Sequence, residues 1–215
     1  MLHVRVNATS ANVCVGFDVL GIALNLANDF TFEKQNDFSF TGFEPVYCCK
    51  EKNLVYKAYC RVFEYIKLEP IPVKIGFSGE IPVSRGLGSS SSLIVAGAFG
   101  ANAIAGNPLS TEELYNICCE IEGHPDNVAP AIYGGLIASY HTEKGYRSIG
   151  YPVCKDLKFI VIIPPVKLST HEAREVLPKS LEYKDIVHNL SRIVHLPKAF
   201  ADGNVELLRE LFDDR

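Results

Sequence analysis

Pro82-Val83-Ser84-Arg85-Gly86-Leu87-Gly88-Ser89-Ser90-Ser91-Ser92 is the stretch around which the rest of the chain is read. Gly86 and Gly88 let the backbone turn sharply and approach a ligand closely. The serines then stand at the start of a helix, and a run of small and apolar residues continues it over 93–104. Free N–H groups and the positive dipole end at such a start favour an anion. Serine hydroxyls there can cap those groups, donate to phosphate oxygens or ligate a divalent cation. Ala96, Gly97, Ala98, Gly100 and Ala101 allow close packing behind the loop. The stretch is neither a G-x-x-x-x-G-K-[ST] loop nor a G-x-G-x-x-G fingerprint, since Ser91 stands where the third glycine belongs. Taken alone it reads equally as a serine-capped turn or a phosphate site. Four successive serines exceed what capping requires, and that tilts the reading to phosphate.

Outward from the loop, the pattern is strand-rich before it and helix-rich after it. Leu2-His3-Val4-Arg5-Val6 and Val73-Lys74-Ile75-Gly76-Phe77 alternate as strands, and Phe30-Thr31-Phe32-Glu33 with Phe38-Ser39-Phe40 predicts a hairpin around Asn36-Asp37. Leu54, Val55, Ala58, Val62, Phe63 and Ile66 keep helical spacing behind Asn53 as N-cap. Ser110-Thr111-Glu112-Glu113 has capping-box spacing and opens a helix through Leu114, Ile117, Cys118 and Ile121. Gly123-His124-Pro125-Asp126-Asn127 interrupts it, and 128–133 predicts a short new helix. Leu136-Ile137-Ala138-Ser139-Tyr140 reads as a strand, and Phe159-Ile160-Val161-Ile162-Ile163 as a strand buried on both faces. Helices are predicted over 170–176, 185–201 and 205–212. The sum is an α+β architecture rather than a doubly wound sheet.

Composition narrows the function classes. The chain has 215 residues, 47% hydrophobic and 21% charged, so a sizeable core is available and disorder is excluded. A formal charge of -4 argues against a life on nucleic-acid phosphates. Any anion must be held by local geometry. No apolar stretch approaches the roughly 18 residues of a membrane-spanning helix, and the first residues lack a secretory pattern. Seven cysteines, with Cys48-Cys49 and Cys118-Cys119 adjacent and no C-x-x-C, read as reduced thiols of a cytoplasmic protein.

Three segments together resemble the GHMP small-molecule kinases, and within them the homoserine kinase family. Ala8-Thr9-Ser10-Ala11-Asn12-Val13-Cys14-Val15-Gly16-Phe17-Asp18 is similar to the family's A-x-S-A-N-x-x-x-G-F-D. The stretch from Pro82 to Ser92 is similar to its P-x-x-x-G-L-G-S-S nucleotide loop. Glu122-Gly123-His124-Pro125-Asp126-Asn127-Val128-Ala129-Pro130-Ala131, followed by Tyr133-Gly134-Gly135, is close to its H-x-D-N-V-A-P segment. Ser169-Thr170-His171-Glu172-Ala173-Arg174 resembles a further substrate-binding stretch.

The resemblance implies ATP-dependent phosphorylation of L-homoserine on the route to threonine. It implies an N-terminal, ribosomal-protein-S5-like ATP-binding domain over 1–155 and the beginning of a ferredoxin-like domain over 156–215. Pro82, Val83, Ser84, Arg85, Gly86, Leu87, Gly88, Ser89, Ser90, Ser91 and Ser92 would wrap the ATP phosphates. Asn53 and Val55 would approach adenine, and Ser90 and Glu120 would hold Mg²⁺. Asn12 and Asp18 would grip the substrate ammonium, His124, Asp126 and Asn127 would surround the hydroxyl with Thr170 nearby, and Arg174 would pair with the carboxylate. The implied partner is this one small molecule, with a homodimer expected and neither nucleic acid nor membrane.

The chemistry agrees. Phosphoryl transfer needs charge neutralisation and in-line positioning. One carboxylate with a serine hydroxyl suits Mg²⁺, which keeps several waters. Asp18 and Arg174 match an amino acid's two charges. Asp126 would act as a general base, or would only orient the substrate while the phosphate takes the proton. Plainer readings stand beside each: Asn12 and Asp18 as turn residues, Glu120 on a solvated helix face, Asp126 as an N-cap, Thr170 as a cap and Arg174 as a surface arginine. Two other functions compete, a GHMP kinase for mevalonate, a sugar or a related alcohol, and a nucleotide-binding sensor without turnover. The family's H-x-P-Y-R segment and C-terminal G-x-G-P-T/S loop do not occur, so the expectation is a truncated chain with little kinase activity of its own.

Overall fold

The longest strand, β2 (Leu20–Lys34), is the spine of a six-stranded sheet. The structure is a computed structural model that describes residues 1–163 and 177–215. β1 (Leu2–Ser10) runs antiparallel along one edge of β2, from Leu2 opposite Phe32 to Ser10 opposite Ile22. The other edge is shared. β4 (Val73–Gly79) pairs with the second half of β2, and β5 (Leu136–Thr142) pairs with its first residues. β6 (Gly145–Tyr151) follows β5 as a hairpin, and β3 (Ser39–Thr41) lies parallel to β4. The sheet order is β3-β4-β2-β5-β6, with β1 on β2.

Period-2 alternation turns Val6, Phe30, Phe32, Val73 and Ile75 to one face, where all are buried. Four helices cover that face. α1 (Leu54–Tyr65) begins at Asn53, whose Oδ1 accepts the Tyr56 N–H at 3.0 Å. α2 (Ser89–Ile104) passes through the middle of the core, and its small residues let neighbours come close. A Cβ on Gly97 would lie 2.2 Å from the Val55 carbonyl oxygen of α1. One on Gly100 would lie 2.4 Å from the Phe32 ring. α3 (Thr111–Glu122) carries the capping box of Ser110 and Glu113, and α4 (Val128–Tyr133) follows after the Gly123 turn.

A second apolar cluster joins Val13, Leu20, Ile22 and Leu136 to the C-terminal helices through Leu196, Ala199, Phe200 and Leu211. α5 (Tyr183–Ile193) buries no residue, α6 is Leu196–Asp202, and α7 is Val205–Leu211. No helix among the described residues is long and apolar enough to cross a membrane. All seven cysteines are free thiols. Cys118 and Cys119 are fully buried, and burial pushes the Cys119 thiol up to about 12, so the adjacent pair packs as apolar side chains.

The α+β expectation agrees with this architecture, with three local corrections. The hairpin around Asn36-Asp37 does not form, because β4 lies between β2 and β3. Phe38 and Phe40 instead turn their rings edge-on to Tyr56 of α1. Residues 159–163 are no buried strand: they pair with no described strand, and Ile160 and Ile162 are 88% and 86% exposed. An apolar run signals a wish for burial but does not supply neighbours. The helix predicted over 185–201 is two helices, since Pro197 opens α6 and cannot continue α5. The predicted helix over 170–176 lies outside the described residues.

Candidate active site

The loop before α2 is pinned at both ends and open in the middle. Ile81 and Leu87 are buried, whereas Val83 is exposed and Gly86 at φ +67° has no atom near its missing Cβ. Asn28, buried in β2, holds both ends at once. Its Oδ1 accepts the Ile81 N–H at 3.1 Å, and its Nδ2 donates to Ser92 Oγ at 2.9 Å. Ser92 Oγ in turn donates to the Ser89 carbonyl at 2.8 Å. Gly88 at φ +66° is the helix N-cap and offers no capping side chain. The first intrahelical bond runs from Ser92 N to Gly88 O at 2.9 Å. The N–H groups of Ser89, Ser90 and Ser91 therefore lack intrahelical acceptors, an arrangement suited to phosphate oxygens.

A carboxylate faces this helix start, and it is Glu122. Ser90 Oγ donates to Glu122 Oε2 at 2.8 Å and Ser91 Oγ to Glu122 Oε1 at 2.9 Å. Glu120, expected there, points elsewhere: Arg61 Nη2 pairs with its Oε2 at 3.2 Å, with the Glu120 side chain 54% exposed. Residues two apart on a helix are separated by about 200°, so the two glutamates cannot serve one site. Among the described residues no group of three or more His, Cys, Asp or Glu is placed to hold a metal ion. The donor set that remains, one carboxylate with two hydroxyls beside a phosphate cradle, fits Mg²⁺.

On the acceptor side, His124, Asp126 and Asn127 form one connected chain. His124 Nδ1 lies 2.5 Å from Asp126 Oδ1, and the same oxygen accepts the Asn127 N–H at 2.7 Å. Asn127 Oδ1 accepts Thr9 Oγ1 at 2.8 Å. Gly21 makes room for this turn, since a Cβ there would lie 1.9 Å from the Asp126 carbonyl oxygen. Burial alone would raise the Asp126 carboxyl. The hydrogen bond and charge of His124, the Asn127 N–H and a hydrogen bond with Asp18 outweigh it and hold the group below the ordinary aspartate value. The Asp126 side chain is only 2% exposed and is held between His124 and Asn127.

Of the other expected residues, Asp18 joins this cluster through its hydrogen bond with Asp126, and the rest lie apart. Asp18 is half-buried in a left-handed backbone conformation at φ 61°. Asn12 is exposed on the turn after β1 and lines a cavity of about 720 Å³ between Leu87, residues 156–162 and α6–α7. That cavity is walled mainly by apolar side chains and touches neither Glu122 nor Asp126, so it adjoins the helix start without containing it. Val55 is fully buried under α2 and presents nothing to adenine. Asn53 is equally buried; besides capping Tyr56 it donates Nδ2 to the Tyr47 carbonyl at 2.9 Å. Both side chains are engaged within the fold at these positions. Thr170 and Arg174 lie outside the described residues. Sequence reasoning missed Glu122, Thr9 and Asn28. For Asn28 the signal was a polar residue in the apolar context Leu26-Ala27-Asn28-Asp29-Phe30.

Comparison with known proteins places this geometry. Residues 53–135 match the family described as GHMP kinases N terminal domain. A homoserine kinase of Clostridium beijerinckii is 48% identical over 212 residues, covering 97% of this chain and 70% of the relative. Among solved structures, homoserine kinase from Cytophaga hutchinsonii superposes with a TM-score of 0.83 at 26% identity, over 99% of this chain and 72% of that one. Phosphomevalonate kinase from Streptococcus pneumoniae shares the fold, with a TM-score of 0.72 at 12% identity, over 99% of this chain and 76% of that one. Near-complete alignment to a homoserine kinase at this identity decides the matter: the chain belongs to the homoserine kinase family of the GHMP kinases.

Proposed function

We propose that this protein transfers the terminal phosphoryl group of ATP to the side-chain hydroxyl of L-homoserine, giving O-phospho-L-homoserine for threonine synthesis. The observation that carries the reading is the meeting, at the first turn of α2, of an uncapped helix start with a carboxylate held by two serine hydroxyls. The backbone N–H groups of Ser89–Ser91 hold phosphate oxygens, and the loop over 82–88 covers them. Ser90 and Glu122 hold Mg²⁺, which when bound neutralises charge on the transferring group. His124 and Asn127 face the acceptor hydroxyl, and Asp126 fixes both. The hydroxyl proton passes to a phosphoryl oxygen as the new P–O bond forms and the bond to ADP breaks. Asp18 and Asn12 take the substrate ammonium. Thr170 and Arg174 keep the roles that the resemblance implies for them.

The same reading divides the chain near residue 155, since every described strand lies before it and helices alone are described after it. It also expects a cytosolic homodimer, for which the seven free thiols suit a reducing compartment. The test is coupled ADP release by the full-length gene product with homoserine, mevalonate and galactose as acceptors. Stimulation by homoserine alone is expected. Turnover of mevalonate or galactose without homoserine overturns the substrate, and ATP binding without turnover of any acceptor favours a non-catalytic relative.

A further inference from the structure

Thr9 is a fully buried polar residue near the end of β1, opposite Ala23 of β2, and its hydrogen bonds connect the two halves of the site. The β1–β2 register shifts between Asn7 and Thr9, an irregularity of the kind that re-aims a side chain. Past it, the Thr9 N–H donates to the Leu87 carbonyl of the phosphate loop at 3.2 Å. Its Oγ1–H donates to Asn127 Oδ1 at 2.8 Å, on the acceptor side. Gly88 lies against the same hydroxyl: a Cβ there would sit 2.0 Å from Thr9 Oγ1 and 3.3 Å from Asn127 Oδ1. One hydroxyl thus touches the loop's last residue and the acceptor-side amide.

An amide side chain has two faces, a carbonyl and an NH₂, and its usefulness depends on which one points at the substrate. With Oδ1 committed to Thr9, the Asn127 Nδ2 is turned toward Asp126 Oδ1, 3.4 Å away. We propose that Thr9 is a positioning residue for phosphoryl transfer: its hydroxyl sets the orientation of the Asn127 amide and holds it in register with Gly88 of the phosphate loop. This rests on the placement of Asn127 at the acceptor hydroxyl proposed above.

Thr9→Val keeps the branched shape and removes the donor, leaving Asn127 free to rotate in a buried site. Because small misplacement of a transferring group is costly, kcat should fall by roughly tenfold to a hundredfold. KM for ATP and the Kd of the non-hydrolysable analogue AMPPNP should stay within about twofold, a shift of less than ~0.5 kcal/mol. Thr9→Ser restores the hydroxyl and should return kcat to within about threefold of wild type, even if Val at this position compromises folding. A Ser variant as impaired as Val, an unimpaired Val variant, or an AMPPNP affinity that falls in step with kcat would overturn the proposal. Asn127→Ala, alone and with Thr9→Val, separates the two layers. An Asn127→Ala enzyme with wild-type kcat refutes the placement of Asn127 itself. If Asn127→Ala is impaired and Thr9→Val lowers its kcat by the same factor as in wild type, Thr9 acts independently and only the positioning role fails.

Discussion

Glu122 and Glu120 differ by two positions and by their surroundings. Glu122 continues the buried stripe Tyr115, Cys118, Cys119 at helical spacing, whereas Glu120 leans out to Arg61. With Glu122 as the proposed metal ligand, its replacement would remove several kcal/mol of charge stabilisation. Glu122→Gln should therefore lower kcat/KM by about a hundredfold or more, measured by ADP release at saturating Mg²⁺. Glu120→Gln breaks only an exposed ion pair worth up to ~1 kcal/mol of stability and should leave kcat/KM within about threefold. The reverse ranking would return the metal to Glu120. The motif Cys119-Glu120-Ile121-Glu122-Gly123 offers both acids, and only the phase of the helix separates them. That phase was legible in the apolar stripe. The full use of Asn53 as a cap and the link from Thr9 to Asn127 were not, because they depend on contacts between residues far apart in the chain.

At the level of elements, local signals with a strong physical cause were legible. The Asn53 cap, the Ser110–Glu113 capping box and the Gly123 break each rest on a backbone group that must be satisfied or a conformation that favours glycine. Strand partnership was not legible, since alternation says which face is buried and is silent on which strand lies alongside; β3 is the case in point. Helix packing gives a direct test. In an exposed helix, replacing glycine by alanine gains about 1 kcal/mol. At Gly97 the added Cβ meets the Val55 carbonyl oxygen at 2.2 Å, a backbone atom that cannot step aside. Overpacking of this kind costs about 1–3 kcal/mol and should prevail. Gly97→Ala is expected to lower the urea midpoint, with the m-value unchanged. A midpoint raised by the substitution would mean that α1 and α2 are not in such close contact.

Taken as one molecule, the chain carries a net charge of -4, yet its family handles a polyanion. The two are compatible because the attraction is local: oriented N–H groups at one helix start, with a metal ion to offset phosphate charge, need no basic surface. The chain also holds an apolar cavity of about 720 Å³ beside residues 156–162, and a nucleotide that preferred it would contradict the account. Backbone amide chemical shifts of the ¹⁵N-labelled protein, followed during titration with Mg²⁺-AMPPNP, distinguish the two positions. The largest changes should fall on residues 84–92, with Ser89, Ser90 and Ser91 foremost. Changes centred on residues 156–162 and α6, with 84–92 undisturbed, would show that the start of α2 is not the nucleotide site.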